Sequence, residues 1–247
     1  MECYRLFYWP QIPGRGEFIR LAFQYKNVAF EEINAIDNLQ QLTSPQSDLA
    51  NHPPHFAVPI LEVTKDNDTF MLSQTPVILA YLARKFGLDS EQANVNKEVT
   101  RCHVQQLTLT ALDWANEAHN VHHPCGPTLF YEDQKQAAAE AAKAFRNDRI
   151  PKFVRYFEKA ITSNSSLTHS CRLIGDKTSM ADLVLFQTLE GLYFAFPHAM
   201  QKSIAANSVL LQFRQEMAQE LQDYLHSADR RPFNDGLFRH YPELDPP

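Results

Sequence analysis

The spacing of apolar residues changes near residue 87, and this change constrains the fold more than any other feature of the chain. Before it, short β-rich runs alternate with segments whose apolar residues recur at helical spacing. After it, strand patterns almost disappear and helical spacing continues to about residue 225. A mixed segment followed by a wholly helical one indicates two domains. We therefore predict a first domain over residues 1–86 and a second over residues 90–247.

The first segment predicts the order βαβ, an irregular connection, ββ and α. Strand patterns lie at 4–8, 28–33, 58–63 and 69–72, and the last two are joined by a turn at 65–68. A first helix is predicted over 17–25, and only a short helix can fit in the polar stretch 34–55. The last helix is predicted from its ends: Thr75 is the expected N-cap, Pro76 the first helical residue and Gly87 the residue that stops the helix.

The second segment carries a helical stripe of Val95, Val99, Cys102, Gln106 and Leu109. Pro151 is expected to break or kink a later helical region. Ser179-Met180-Ala181-Asp182 resembles a capping box and predicts the start of a buried helix. Another helix is predicted over 209–225, and residues 230–247 form a tail rich in proline and aromatic residues that is suited to packing along a surface.

Composition excludes several classes of protein. The chain of 247 residues is 44% hydrophobic and 21% charged, as in ordinary globular proteins. With a net charge of -6 and no clustered basic patch, a nucleic-acid partner is not expected. No apolar window approaches a membrane span of roughly 18 residues, and the start lacks a signal-peptide pattern, so we predict a cytoplasmic protein without a membrane partner.

The cysteine and histidine residues give no metal signature. Cys3, Cys102, Cys125 and Cys171 lie far apart without a CxxC pair, which predicts reduced thiols. His119, His122 and His123 are close in sequence but have no paired carboxylate or cysteine spacing. We predict no metal and interpret the histidines as a polar loop at the mouth of a cleft.

Three motifs in order give the chain a family resemblance. Tyr8-Trp9-Pro10 with Gly14-Arg15-Gly16-Glu17, then Val58-Pro59-Ile60-Leu61-Glu62, then Ser73-Gln74-Thr75 are similar to motifs of the tyrosine-type cytosolic glutathione transferases. The capping-box segment at 179–182 resembles that of the same family, and Cys102-His103-Val104 is most similar to the sigma class. The resemblance implies a thioredoxin-like α/β domain followed by an all-α helical bundle that carries the electrophile pocket.

The resemblance also implies a chemistry for Tyr8 and Arg15. A free thiol with pKa near 8.5 is only a few per cent ionised at neutral pH, so a glutathione-dependent enzyme gains by stabilising the thiolate. Tyr8 is the candidate to donate a hydrogen bond to the sulfur, and Arg15 to add positive potential beside it. The two are one residue farther apart than is usual in the family, through Gln11-Ile12-Pro13.

Four further residues are implied to bind the tripeptide glutathione. A cis bond at Val58-Pro59 would leave the backbone groups of Val58 free to pair with the cysteinyl part, as an added strand does. Gln74, Thr75 and the following helix N-terminus would bind the γ-glutamyl carboxylate.

The chain also departs from the family pattern in two places. No lysine, arginine or tryptophan lies between Asn27 and Thr64 to bind the glycyl carboxylate, which leaves Gln41, His52 or His55 as substitutes. Gln105 stands where the resemblance places an acid that reaches the glutathione of the neighbouring subunit.

The predicted function is a glutathione transferase that conjugates the glutathione thiolate to hydrophobic electrophiles, in detoxification. Isomerisation or peroxide reduction by the same thiolate is an alternative, and so is a non-catalytic ligand carrier or regulatory protein of the same fold. The resemblance further implies a homodimer, formed by the first domain packing on the long helix that contains Gln105. The electrophile itself is not specified by the sequence.

Overall fold

A computed structural model describes residues 2–47, 53–66, 68–89, 96–205, 208–234 and 236–247. Its first part contains a mixed sheet of four strands in the order β2-β1-β3-β4. The central strand β1 pairs parallel with β2 and antiparallel with β3, which pairs antiparallel with β4. The strands are β1 (Glu2–Phe7), β2 (Glu31–Ile33), β3 (Ile60–Lys65) and β4 (Asp68–Ser73).

Three helices accompany this sheet, namely α1 (Gly16–Tyr25), α2 (Ile36–Thr43) and α3 (Thr75–Phe86). The order and the mixed sheet confirm the thioredoxin-like α/β prediction for this part of the chain. Strand β2 is shorter than predicted because the Val28 N–H donates to the Phe23 carbonyl at 3.0 Å, so that residue closes α1 instead of opening a strand.

The predicted N-cap of α3 is wrong by one residue. The carbonyl of Gln74 accepts the N–H of Ile78 at 3.0 Å, which makes Gln74 the N-cap and Thr75 the first helical residue. Gly87 ends the helix as predicted, with a left-handed φ of 68°.

The second part of the chain is helical, as predicted. Its helices are α4 (Lys97–His122), α5 (Lys135–Ala144), α6 (Ile150–Thr168), α7 (Met180–Ala195), α8 (Pro197–Ser203), α9 (Val209–Glu220) and α10 (Gln222–Leu225). The break predicted at Pro151 takes the form of a π-helical turn, Phe145–Arg149, and Pro151 lies in the first turn of α6, where its missing N–H costs little. Within the described residues no helix is long and apolar enough to cross a bilayer.

Helix α7 is the centre of the helical part. Its N-terminus carries the predicted capping box, since both the backbone N–H and the hydroxyl of Ser179 donate to Asp182 Oδ2, at 2.8 and 2.6 Å. Buried residues of α1, α4 and α7 belong to one contiguous apolar cluster, so the two parts of the chain share a core. The division at residues 86 and 90 stays a prediction, and residues 90–95 lie outside the described residues.

Residues 226–234 and 236–247, called here the C-terminal arm, run back over α7 and the first part of the chain. The Phe238 ring of the arm lies directly on Gly191 in α7, where a Cβ atom would overlap the ring. Phe238 also makes an edge contact with Phe233, which stacks on Phe194. Glycine at 191 therefore lets the arm approach the helix backbone closely.

The variant Gly191→Ala is expected to lower the free energy of unfolding by about 1 to 3 kcal/mol, because the arm must move away from α7. Gly126→Ala is the matched control, since a Cβ atom there meets nothing closer than Leu129 at 3.9 Å. Urea unfolding of both variants provides the measurement, and equal midpoints would contradict the close contact.

Candidate functional site

A cavity of about 390 Å³ lies between the first part of the chain, α4 and the C-terminal arm. Its volume is in the range of small-molecule sites. Most of the predicted site residues line this cavity together, namely Arg15, Val58, Pro59, Gln74 and Thr75. The fold thus gathers residues from three separate motifs of the sequence around one cavity.

Tyr8 follows the last residue of β1 and lies beneath the loop that leads to α1. Its side chain is 5% exposed and is not part of the cavity wall. The hydroxyl accepts a hydrogen bond from the backbone N–H of Arg15 at 2.7 Å, and Arg15 lines the cavity. Gly14, with φ of 46°, covers the hydroxyl so closely that a Cβ atom there would overlap it. Tyr8 therefore does not line the cavity itself and is linked to the cavity wall through Arg15.

The electrostatic environment keeps the Tyr8 phenol protonated at neutral pH. Burial raises the pKa of Tyr8 above its usual value, and the N–H groups of Arg15 and Gly16 and the charges of Arg15 and Arg20 only partly oppose this. The Arg20 guanidinium lies 5.5 Å from the centre of the ring. Within the described part of the chain no acceptor receives the hydroxyl hydrogen, so Tyr8 can donate it to a ligand.

Arg15 lies on the cavity despite the longer loop that precedes it. A tight turn takes up the extra length, since the Ile12 N–H donates to the Pro10 carbonyl at 2.9 Å across Gln11, whose φ is 64°. The Arg15 guanidinium donates to Asn116 Oδ1 on α4 at 2.9 Å. Positive charge is thus present at the cavity and close to the Tyr8 hydroxyl.

The peptide bond between Val58 and Pro59 is cis, as predicted. Val58 is half-buried and precedes β3, which begins at Ile60. Its backbone N–H and C=O form no hydrogen bond with any residue that the structure describes. Both groups are available to pair with an extended ligand in the cavity.

Gln74 and Thr75 form a polar corner of the cavity. Gln74 has a φ of 71°, a backbone conformation that is strained in a non-glycine residue and is found mostly at functional sites. The Thr75 hydroxyl is buried and has no hydrogen-bond partner among the described residues. These groups and the N-terminus of the 12-residue helix α3 suit an anionic ligand group.

Sequence reasoning missed several residues of the cavity wall. Asp113 and Asn116 reach it from consecutive turns of α4, and Leu237 reaches it from the C-terminal arm. Asp113 adds a carboxylate to the wall of the same cavity as Gln74 and Thr75. The spacing of Leu112, Asp113, Ala115 and Asn116 shows that they share part of a helix surface. Nothing local in the sequence indicates that this surface faces the first part of the chain.

Comparisons with known proteins show what the chain is similar to. Residues 119–228 match the family model described as glutathione S-transferase, C-terminal domain. A glutathione S-transferase of Plasmodium yoelii yoelii is 22% identical over 219 residues, which is 88% of this chain and 90% of that one. Bovine glutathione S-transferase A4 is 25% identical over 212 residues, or 82% of this chain and 83% of its own. The chain is thus similar to glutathione transferases over most of its length.

The fold of the chain also matches solved structures. The sigma class enzyme of Fasciola hepatica aligns with a TM-score of 0.67 at 20% identity, over 94% of this chain and 98% of that one. At this identity the match supports the fold, namely the thioredoxin-like part followed by the helical part.

Two residues predicted for the site lie elsewhere in the single chain. Gln105 is exposed on α4 and borders a separate cleft with Leu79, Ala83 and Met180. Gln41, on α2, borders another cavity with Phe7. His55 is buried, and His52 lies outside the described residues.

The histidine cluster lies at the end of α4. His122 is fully buried, with its ring stacked on Phe196 at 6.0 Å and in edge contact with Tyr241 at 5.3 Å. His119 and His123 contact each other at 5.2 Å. Among the described residues no group of three or more histidine, cysteine or acidic side chains is arranged to hold a metal ion.

Burial lowers the pKa of His122 to about 3, and neither ring nitrogen has a hydrogen-bond partner within the described chain. The unfolded chain, with a histidine pKa near 6.5, therefore takes up a proton first as pH falls. Below that pH, stability is lost at about 1.4 kcal/mol per pH unit, until the folded pKa is reached.

Between pH 7 and pH 5 this group alone is expected to cost about 2 kcal/mol. The variant His122→Phe retains the aromatic packing, and its free energy of unfolding in urea should fall less over this range. His226→Phe, at an exposed position, serves as the control. Equal losses in wild type and His122→Phe would contradict the assignment.

Proposed function

We propose that the cavity binds glutathione and that Tyr8 stabilises its thiolate, which then attacks hydrophobic electrophiles. One observation carries the proposal. The protonated Tyr8 hydroxyl accepts from the N–H of Arg15, a residue of the cavity wall, at 2.7 Å, and no acceptor among the described residues receives its own hydrogen. The tyrosine-type chemistry of the family requires such a donor beside the sulfur.

The energetics of one such hydrogen bond fit this role. A hydrogen bond to a charged acceptor contributes about 1.5 to 3 kcal/mol, and each pKa unit corresponds to about 1.4 kcal/mol. One bond from Tyr8 can therefore lower the thiol pKa by about one to two units. The Arg15 charge acts in the same direction.

The remaining groups of the cavity match the parts of the tripeptide. Val58 would pair with the cysteinyl backbone, and Gln74, Thr75 and the N-terminus of α3 would bind the γ-glutamyl carboxylate. Asp113 lines the same cavity and would attract the γ-glutamyl ammonium. Leu112 and Leu237 supply apolar wall for the electrophile.

The most direct test of this function is a difference spectrum. Addition of glutathione at pH 7 is expected to produce an ultraviolet thiolate band, followed by turnover with a reactive aromatic electrophile. S-methylglutathione is the matched control, because it has no ionisable thiol and should bind without the band. Binding of glutathione with no band and no turnover would reject the catalytic proposal.

A non-catalytic ligand carrier of the same fold is the second candidate. It is favoured by one observation, the absence of any lysine or arginine from residues 28–63, where the family typically binds the glycyl carboxylate. Calorimetry separates the two candidates, since a carrier that has lost glutathione would show no heat of binding at millimolar concentration.

We further propose a cytoplasmic homodimer that acts in detoxification, in agreement with the family. Phe56 is 91% exposed, and Phe70, Val77 and Val99 are also exposed, in β4, α3 and α4 respectively. These exposed apolar side chains and the apolar cleft that contains Gln105 suit the packing of a second copy.

A further inference from the structure

The C-terminal arm contacts the loop that joins Tyr8 to Arg15. Arg231 in the arm donates from Nη1 to the carbonyl oxygens of Trp9 at 3.0 Å and of Ile12 at 3.1 Å. Its Nη2 pairs with Glu32 Oε2 at 2.5 Å. One guanidinium thus joins two points of the loop to a residue of β2.

The two carbonyl groups lie on either side of a strained turn. Between them, the Ile12 N–H donates to the Pro10 carbonyl at 2.9 Å, and Gln11 has a φ of 64°. A non-glycine residue in this conformation persists only where the surrounding structure holds it. Arg231 makes the contacts that can hold this turn, because its Nη1 donates to both carbonyls while its Nη2, in the same planar group, is held by Glu32.

The arm is itself firmly attached on both sides of Arg231. Arg230 pairs with the buried Glu17 of α1 at 2.5 Å and donates to Gln187 of α7 at 2.9 Å. Farther along, a Cβ atom at Gly236 would be 3.6 Å from Ile12 Cδ1 and 3.8 Å from Gly14 Cα, and Leu237 lines the cavity. The arm therefore lies against the loop from Trp9 to Gly14 and continues into the cavity wall.

We propose that Arg231 is a positioning residue for the thiolate-stabilising pair, a role that rests on the proposed function. Arg231 touches neither the Tyr8 hydroxyl nor the cavity; it acts through the loop. By fixing the carbonyl groups of Trp9 and Ile12, Arg231 keeps the strained turn in place. The turn positions the Arg15 N–H, which donates to the Tyr8 hydroxyl. In this way the arm stabilises a loop that is one residue longer than is usual in the family.

Removal of the Arg231 side chain does not leave an unpaired charge behind. Its partner Glu32 is also paired with Arg20, at 2.5 Å, and Arg20 pairs with Glu17 at 2.9 Å. Loss of the Arg231 side chain thus leaves Glu32 with a cationic partner. Tyr224, which donates to Glu17 at 2.5 Å, completes the group of ionisable side chains in this region.

The test compares Arg231→Ala and Arg231→Lys with Arg230→Ala, which removes an arginine of the same arm that does not contact the loop. Two quantities are measured in the full-length protein. The first is the pKa of bound glutathione, from the thiolate band as a function of pH. The second is amide hydrogen exchange of peptides covering residues 9–16, in the absence of ligand.

In Arg231→Ala we expect the thiol pKa to rise by about one unit, which is a tenfold loss of thiolate at low pH, and exchange over 9–16 to accelerate. In Arg231→Lys both the thiol pKa and the exchange rate should lie between those of wild type and Arg231→Ala, since a single ammonium group cannot reproduce all the contacts of the planar guanidinium. Arg230→Ala should lower the melting temperature while it leaves the thiol pKa unchanged.

A thiol pKa that is unchanged in Arg231→Ala, or raised equally in Arg230→Ala, would overturn the inference. If the wild-type protein gives no thiolate band at all, the proposed function fails, and exchange over residues 9–16 alone decides whether Arg231 holds the loop. Equal exchange in wild type and Arg231→Ala would then overturn the inference as well.

Discussion

The variant Tyr8→Phe is expected to lose the thiolate band at neutral pH and to fall about 10- to 100-fold in kcat/KM for conjugation at pH 6.5. The proposed mechanism assigns to Tyr8 a single hydrogen bond to the sulfur, and the variant would lose this bond, which contributes about 1.5 to 3 kcal/mol. The thiol pKa should rise by about one to two units, so activity should recover in part as pH is raised. The KM for glutathione should change little, because the backbone and anion contacts of the tripeptide remain.

Tyr4→Phe is the matched control for this variant. Tyr4 lies on the same strand, and its hydroxyl donates to Glu2 at 2.7 Å, away from the cavity. The Tyr4 variant is expected to retain the thiolate band and the turnover. Wild-type turnover in Tyr8→Phe at low pH would reject the role of the Tyr8 hydroxyl.

The variant Asp182→Ala is expected to have the largest effect on stability, about 3 to 5 kcal/mol, and to yield little folded protein at 37 °C. Asp182 is fully buried and accepts from the Ser179 N–H, the Ser179 hydroxyl and the Leu173 N–H at 2.8, 2.6 and 2.8 Å. Its removal leaves these buried donors without an acceptor and uncaps the central helix α7.

Urea unfolding at 25 °C measures this effect, with Asp176→Ala as the control. Asp176 lies six residues earlier and is exposed, so its loss should change the free energy of unfolding by less than about 0.5 kcal/mol. Similar unfolding midpoints for the two variants would show that the capping box does not stabilise α7 as the geometry implies.

The sequence predicted the features that depend on local patterns. The strand and helix order, the stop at Gly87 and the capping box at Ser179 depend on residues a few positions apart, and the structure contains all of them. The start of α3 was missed by one residue, because the preference of threonine for the N-cap position does not determine the backbone conformation of Gln74.

Features that depend on contacts between distant segments could not be predicted in the same way. Arg230 meets Glu17 across 213 positions of sequence, and no periodicity indicates that pairing. The place of Asp113 and Asn116 in the cavity wall could not be predicted either. Their spacing shows that they share one surface of a helix, but it does not show which part of the protein that surface faces. Gln105 lies on the same helix, yet it borders another cleft, because it lies about one turn before Leu109, where α4 begins to line the cavity.

The role of Tyr8 is tested most directly by a crystal structure of the protein soaked with glutathione at neutral pH. The account predicts the cysteinyl backbone against Val58, the γ-glutamyl carboxylate at Gln74 and Thr75, and the sulfur within hydrogen-bonding distance of the Tyr8 hydroxyl. A structure in which glutathione occupies the cavity while its sulfur points away from Tyr8, with the hydroxyl still covered by Gly14, would contradict it.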